Sequence, residues 1–225
     1  MSNSGISNVG IVAKSNFQSL MDHVGSGSAY DLSKRRSNLS ILPPYDGKAF
    51  SSFVETIYNM HGYIEHCREE YVLISQGNVI TNIDYTDVFD FHSKKKADIT
   101  LIYKNHAIPQ GYDRPITLDV DNDGKVNQIF VKPGVVDKEV FNHAYGSILI
   151  KKDILMSEIR NAISVNQLDV KRLLQSSLGK YSIYAYENKG YCAAISSIND
   201  YFEFNMDLMK KEVRDELFNP QRPIY

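Results

Sequence analysis

Cysteine is scarce in this chain, charge of one sign is not in excess, and no apolar run is long. Two cysteines, Cys67 and Cys192, occur among 225 residues. They are far apart and show no metal-ligand spacing, so neither a disulfide framework nor a zinc cluster is indicated. Reduced thiols in a cytoplasmic protein are the expectation. The 25 basic side chains nearly balance the 27 acidic ones, a formal net charge of -2, so nothing points to nucleic acid or an anionic membrane as partner. The triplet Lys34-Arg35-Arg36 reads as a solvated loop. Lys94-Lys95-Lys96 reads as the end of a helix, where cations complement the helix dipole. No apolar segment is long enough to cross a bilayer, no signal-peptide pattern is read, and no internal repeat is found. What is there is an ordinary apolar fraction of 43% over a length that fits one sizeable α/β domain.

The stretch that organises the chain runs from Glu70 to Tyr85. Val72-Leu73-Ile74-Ser75 is a short apolar run, expected to be a strand buried on both faces of a parallel sheet. It stops at Gln76-Gly77, and in open α/β sheets ligands bind at the carboxyl ends of strands. A site is therefore expected around Gly77 and Asn78. Earlier, Ser4-Gly5-Ile6 reads as a Gly-capped helix end, 9–13 as a strand, 17–24 as a helix capped by Asn16, and 25–46 as a long loop. An amphipathic helix over 49–67 turns Phe50, Phe53, Val54, Ile57, Tyr58 and Ile64 toward the sheet. Asp84 caps a helix over 86–96, and 98–103 is the next strand, so strand–helix–strand units are expected.

Further on, Ile116, Leu118 and Val120 alternate with polar residues, as do Val126, Gln128 and Phe130. They make a β-hairpin around Asp121-Asn122-Asp123-Gly124. Asp119, Asp121, Asp123 and Gly124 have calcium-loop spacing, but Phe130 stands where the closing acid belongs, so a plain turn is the reading. A strand over 144–150, a helix over 153–164 and a short helix capped by Asp169 and running to 178 follow. Then come strands over 181–186 and 191–195, joined by the turn 187–190. The last helix, 198–218, is expected to turn Ile198, Tyr201, Phe202, Met209 and Val213 inward. His23 and His92 read as ordinary helix residues.

Several short motifs fall in a fixed order: Asn3-Ser4-Gly5-Ile6; Met21-Asp22-His23-Val24-Gly25-Ser26-Gly27; Leu42-Pro43-Pro44; Gly77-Asn78-Val79-Ile80 with Asp84-Tyr85; and Asn205-Met206-Asp207-Leu208. Together they resemble the glucose-1-phosphate adenylyltransferase (ADP-glucose pyrophosphorylase) family, most of all its GlgD-type glycogen-biosynthesis subunit. The resemblance implies a Rossmann-like nucleotide-diphospho-sugar transferase fold: a mostly parallel mixed sheet with flanking helices and a β-hairpin. It implies a domain over 1–218, with 219–225 a linker toward a C-terminal β-helix, and a chain truncated at both ends that starts after the family's Gly-rich nucleotide loop. It also implies the family reaction, ATP plus glucose 1-phosphate giving ADP-glucose plus pyrophosphate, with magnesium held by two carboxylates.

Carried over position by position, the resemblance puts Asn78 and Ala194 where those metal carboxylates stand. No catalytic residue and no bound metal are therefore expected. Lys132, in Val131-Lys132-Pro133, matches the lysine that grips the sugar phosphate but without its glutamate neighbour. It reads equally as a surface lysine at a hairpin end. Tyr145 matches a serine that touches the sugar, so Lys132, Gly77, Asn78 and Tyr145 make a vestigial sugar-phosphate site. Lys14 and Lys48 add basic character. Three readings follow. The first is a non-catalytic or regulatory subunit joined in a hetero-oligomer to a catalytic subunit. The second is an active nucleotidyltransferase with replacement ligands. The third is a module that binds glucose 1-phosphate or ADP-glucose without turnover.

Overall fold

The computed structural model describes residues 1–13, 17–30, 32, 38–43, 52–106, 116–130 and 140–223. They form two compact units, one of Met1–Glu70 with Lys152–Leu173, the other of Tyr71–Lys151 with Leu174–Ile224.

In the first unit, a 3-10 turn at Ser2–Ser4 ends on Gly5 at φ 74°, the Gly-capped stop expected there. Strand β1 (Asn8–Val12), helix α1 (Phe17–Val24) and strand β2 (Asn38–Leu42) follow, and β1 and β2 pair in parallel. The expected helix over 49–67 is two helices, α2 (Phe53–Asn59) and α3 (His61–His66), broken at Met60. Ser52 starts α2, its hydroxyl accepting from Glu55 N–H. Val54, Ile57 and Ile64 are buried as expected, whereas Tyr58 is exposed and stacks on His61. Phe50 lies outside the described residues, as does the Asn16 cap.

The second unit carries strands β3 (Tyr71–Ile74) and β4 (Val79–Thr81), helix α4 (Tyr85–Lys95) and strands β5 (Ile99–His106), β6 (Ile116–Val120), β7 (Val126–Phe130) and β8 (Phe141–Lys151). Helix α5 (Lys152–Ser164) belongs to the first unit, burying Leu155, Met156, Ile159 and Ala162. Helix α6 (Val170–Ser177), strands β9 (Ile183–Glu187) and β10 (Cys192–Ala194), and helices α7 (Ile198–Asp207) and α8 (Lys211–Leu217) complete the chain. Among the described residues, no helix is long and apolar enough to cross a membrane.

The fold is α/β with a mixed sheet, as expected, but the balance of pairings is not. The main sheet has the order β7-β6-β8-β5-β9, with β3 also on β8. Within this sheet, among the described residues, only β5 with β9 is parallel; β3, β5 and β6 all meet β8 antiparallel. Strands β3 and β5 do run the same way, so the strand–helix–strand reading through α4 holds. The two are separated by β8, which inserts between them in the opposite direction. A sequence pattern reports a strand's burial, not its neighbour. Among the described residues β3 is paired on one side only, and all four of its residues are half-buried rather than sunk on both faces.

Asp84 caps α4 as expected, accepting from Thr86 N–H at 2.9 Å. Helix α4 lays Val88 against Ile102 and Leu149, with Tyr71, Leu73, Ile83, Tyr85 and Tyr186 packed around them. His92, also buried, meets Thr100 at 2.8 Å and Tyr71 edge-on. The hairpin β6–β7 turns on Asp121, whose carboxylate accepts from Asp123 and Lys125 N–H, so the aspartates serve the turn. β9 and β10 are not a hairpin pair, because β10 lies antiparallel to β4.

Candidate functional site

The site expected at the end of β3 is built from three short segments of the second unit. After Ile74 the chain turns through Gln76-Gly77, and Gly77 and Asn78 are exposed. It then re-enters as β4, whose partner β10 sets Val79 opposite Ala194. Asn78 and Ile195 close the end of this ribbon. Ile195 N–H donates to the Asn78 carbonyl at 2.8 Å, and the Asn78 side-chain amide donates to the Ile195 carbonyl at 3.1 Å. The positions that the resemblance gives to two metal carboxylates, 78 and 194, are thus brought together by one strand pairing. Their side chains are an amide spent on a carbonyl and a methyl group.

These residues do not fit a divalent cation. Magnesium takes hard oxygen donors, carboxylates above all. Asn78 turns its N–H₂ into the ribbon, and Ala194 has no donor. Among the described residues, no three His, Cys, Asp or Glu side chains stand together as a metal cluster.

Tyr145 occupies a different place from Asn78. It is 6% exposed and lines a cleft of about 10 Å³ with Val79, Thr81, Ile83, Tyr85, Ile102, Tyr103, Ser147, Asn188 and Cys192. That is room for about one water molecule, not for a hexose. The Tyr145 hydroxyl bonds His106 Nε2, and its ring packs on the His106 and His143 rings. Next to it, Gly146 sits at φ 76°, where a Cβ would run into the Gln76 side chain. Ser75 and Ser147 hydroxyls meet at 3.4 Å. The end of β3 is therefore laid over β8 at Tyr145–Ser147, and Tyr145 fills the space beneath.

The floor is tied by a second set of bonds. The Asn188 amide donates to Thr81 Oγ1 at 2.9 Å, and Thr81 Oγ1 donates to the Tyr191 carbonyl at 2.9 Å. Lys104 caps the 187–190 turn through the Gly190 carbonyl. Burial pushes the Cys192 thiol up to about 11, Lys104 opposing, so it stays a neutral thiol, unsuited to attack. Burial, with Lys104 nearby, holds His106 below the ordinary histidine range. Burial raises Tyr85, a bond from Ser75 opposing. Every shift follows from desolvation of the cleft rather than from a partner that would activate a group.

Gly77, Asn78 and Tyr145 are within the described residues; Lys132, Lys14 and Lys48 lie outside them. The Ile195 carbonyl, Asn188 and His106 were not legible as parts of this region from the sequence. The one available signal was the brevity of 191–195, which suits a ribbon to β4 as well as a hairpin with β9. In the first unit, an open groove of about 440 Å³ between α3 and α5 is lined by Glu65, Lys152, Arg160 and others and spanned by the Arg160–Glu65 ion pair. None of the expected site residues lines it.

This architecture defines an α/β protein with a Rossmann-like fold. A solved structure, HddC from Yersinia pseudotuberculosis, shares it at a TM-score of 0.59 and 14% identity, over 92% of this chain and 80% of that one. Curated relatives match the whole chain. Glucose-1-phosphate adenylyltransferase of Clostridium acetobutylicum is 31% identical over 234 residues, that of Clostridium perfringens 30% over 235, and that of Bacillus subtilis 29% over 236. The chain is similar to the glucose-1-phosphate adenylyltransferases along its full length, and it spans about 60% of the length of the curated relatives it matches. No protein-family model matches it.

Proposed function

We propose that the chain is a non-catalytic, regulatory subunit of glucose-1-phosphate adenylyltransferase in glycogen biosynthesis. It supports a catalytic subunit that converts ATP and glucose 1-phosphate to ADP-glucose and pyrophosphate. The observation that carries this reading is the Asn78–Ile195 lock at the end of the β4–β10 ribbon. Joining a sugar phosphate to a nucleotide crowds several negative charges around the reacting phosphorus. A protein that catalyses it must hold compensating positive charge in place. At positions 78 and 194 this chain offers no carboxylate: the Asn78 N–H₂ donates to the Ile195 carbonyl, and Ala194 ends in a methyl group. The filling of the neighbouring cleft by Tyr145 also supports the reading. What is left is a fold of the family's shape, suited to association with a sibling.

The test is co-expression with an active adenylyltransferase subunit of the family. The expected result is a stable hetero-oligomer whose response to effectors differs from that of the catalytic subunit alone, while its ADP-glucose synthesis is abolished by mutating only the catalytic chain. Failure to co-purify, with no change in the sibling's behaviour, counts against the proposal.

A further inference from the structure

The last helix expected from the sequence is two helices, and only the second is anchored as expected. Helix α7 turns Phe204 and Asp207 to Tyr191 and leaves Ile198, Tyr201 and Phe202 exposed, as is Met209 after it. Helix α8 buries Val213 and Leu217. From α8 a set of bonds runs to the β4–β10 ribbon. That ribbon is three residue pairs long and, among the described residues, pairs with no strand of the main sheet. A two-stranded ribbon is marginally stable by itself, so it needs support. The segment 216–222 supplies it on both strands at once. Asn82, directly after β4, donates its side-chain amide to the Leu217 and the Arg222 carbonyls, at 2.9 Å each. Tyr191, directly before β10, donates its backbone N–H to the Glu216 carboxylate. Arg222 also stands 3.6 Å from Asp84. All these bonds meet the ribbon at the end opposite the Asn78–Ile195 lock.

We infer that residues 216–222 are a clasp: they and the β4–β10 ribbon close and open as one unit, apart from the main sheet, so that drawing 219–222 away loosens the ribbon as far as positions 78 and 194. Glu216 and Leu217 are neighbours on one rigid helix, and they hold one strand each. Parting the strands therefore breaks at least one of these holds. Displacing the segment, conversely, leaves the half-buried Asn82 amide and Tyr191 N–H without partners together, and unmet donors of this kind are costly. The main sheet needs none of these bonds, since β5 and β8 pair along the whole of β5, from Ile99 to His106. Such a cooperative unit is a means of control at a distance, because whatever engages 219–222 acts on the candidate site. Coupling of this kind is reciprocal, so the lock end of the ribbon acts on 219–222 in turn. The inference concerns the chain's own fold and stands or falls apart from the proposed regulatory role.

Amide hydrogen exchange of the full chain, followed residue by residue by NMR, tests it. The reporter is the Ile195 N–H, which donates to the Asn78 carbonyl and is touched by neither Asn82 nor Glu216. The expected result is that Asn82→Ala and, separately, Glu216→Ala speed exchange at Ile195 on the order of 10-fold, while Leu101 and Ile150 in the main sheet keep wild-type protection. Glu216→Gln, which keeps an oxygen for Tyr191, exchanges as wild type does. Asn78→Ala, made at the far end, speeds exchange of the Arg222 N–H, which donates to the Asn219 carbonyl at 3.0 Å. Faster exchange confined to the neighbours of each substitution, with Ile195 as protected as in wild type, overturns the inference. So does a rise that includes Leu101 and Ile150 equally in both alanine variants, since the clasp and ribbon are then no separate unit.

Discussion

Replacing Asn78 by aspartate restores the residue type expected at a metal site, yet here it removes the amide N–H₂ that donates to the Ile195 carbonyl at 3.1 Å. The backbone bond from Ile195 N–H to the Asn78 carbonyl, 2.8 Å, survives the change. A lost neutral hydrogen bond costs about 0.5–1.5 kcal/mol. The carboxylate that replaces it faces a carbonyl, but Asn78 is exposed and water screens most of that repulsion. The expected loss is therefore about 1 kcal/mol, or about 2–4 °C in melting temperature for a chain of this size. The loss depends on pH in a definite sense. A protonated acid donates to Ile195 as the amide did, while the ionised acid does not, so the folded state holds its proton more tightly than the unfolded one. The carboxyl is raised on folding, and the deficit relative to the wild type is fully present at neutral pH and shrinks as pH falls through the carboxylate range. Urea denaturation of wild type, Asn78→Asp and Asn78→Ala at pH 7 and at acid pH measures this. Asn78→Ala should show a similar loss with no pH dependence. An Asn78→Asp protein as stable as wild type at pH 7, or stabilised by millimolar magnesium, refutes the assignment of Asn78 as a lock.

Other perturbations have equally definite outcomes. The double change Asn78→Asp with Ala194→Asp puts two acids on neighbouring strands; it should melt below the single variant and regain stability with magnesium, whereas wild type shows no magnesium effect. Tyr145→Ala removes a buried aromatic from a filled cleft and should cost about 3–5 kcal/mol by chemical denaturation, while Tyr145→Phe, which loses the bond to His106, should cost about 1 kcal/mol. Burial, with Lys151 adding to it and Asp98 opposing, lowers the His92 pKa. Its folded value then lies below the unfolded one, near 6.5, so stability present above that pH is lost on acidification; His92→Gln should flatten that limb. Gly146→Ala, at φ 76° and against Gln76, should lower the melting point by several degrees.

Much of the fold was legible because its signals were local. The Asp84 cap, the helix that follows it, and the hairpin around Asp121 each need only a few neighbouring residues, and each is found as expected. Pairing was not legible. The apolar run at β3 reads as a strand buried on both faces of a parallel sheet and does not say that β8 is its antiparallel neighbour, and the shortness of β10 left its partner open. The orientation of α7 failed for a related reason. Its stripe of Ile198, Tyr201, Phe202 and Met209 is the pattern of a core-facing helix, and the sequence carries no mark that Tyr191 and Phe204 claim the opposite side. At the candidate site, Asn78 was recognisable as a departure from a charged pattern. That its amide is spent on the Ile195 carbonyl required the ribbon between β4 and β10.

The most direct test of the central claim is pyrophosphate release by the purified chain with ATP, glucose 1-phosphate and magnesium, in the absence of any other subunit. A chain whose positions 78 and 194 are an amide locked to the backbone and a methyl group should release none above the enzyme-free blank. Sustained release that scales with protein and stops when magnesium is chelated would contradict the account.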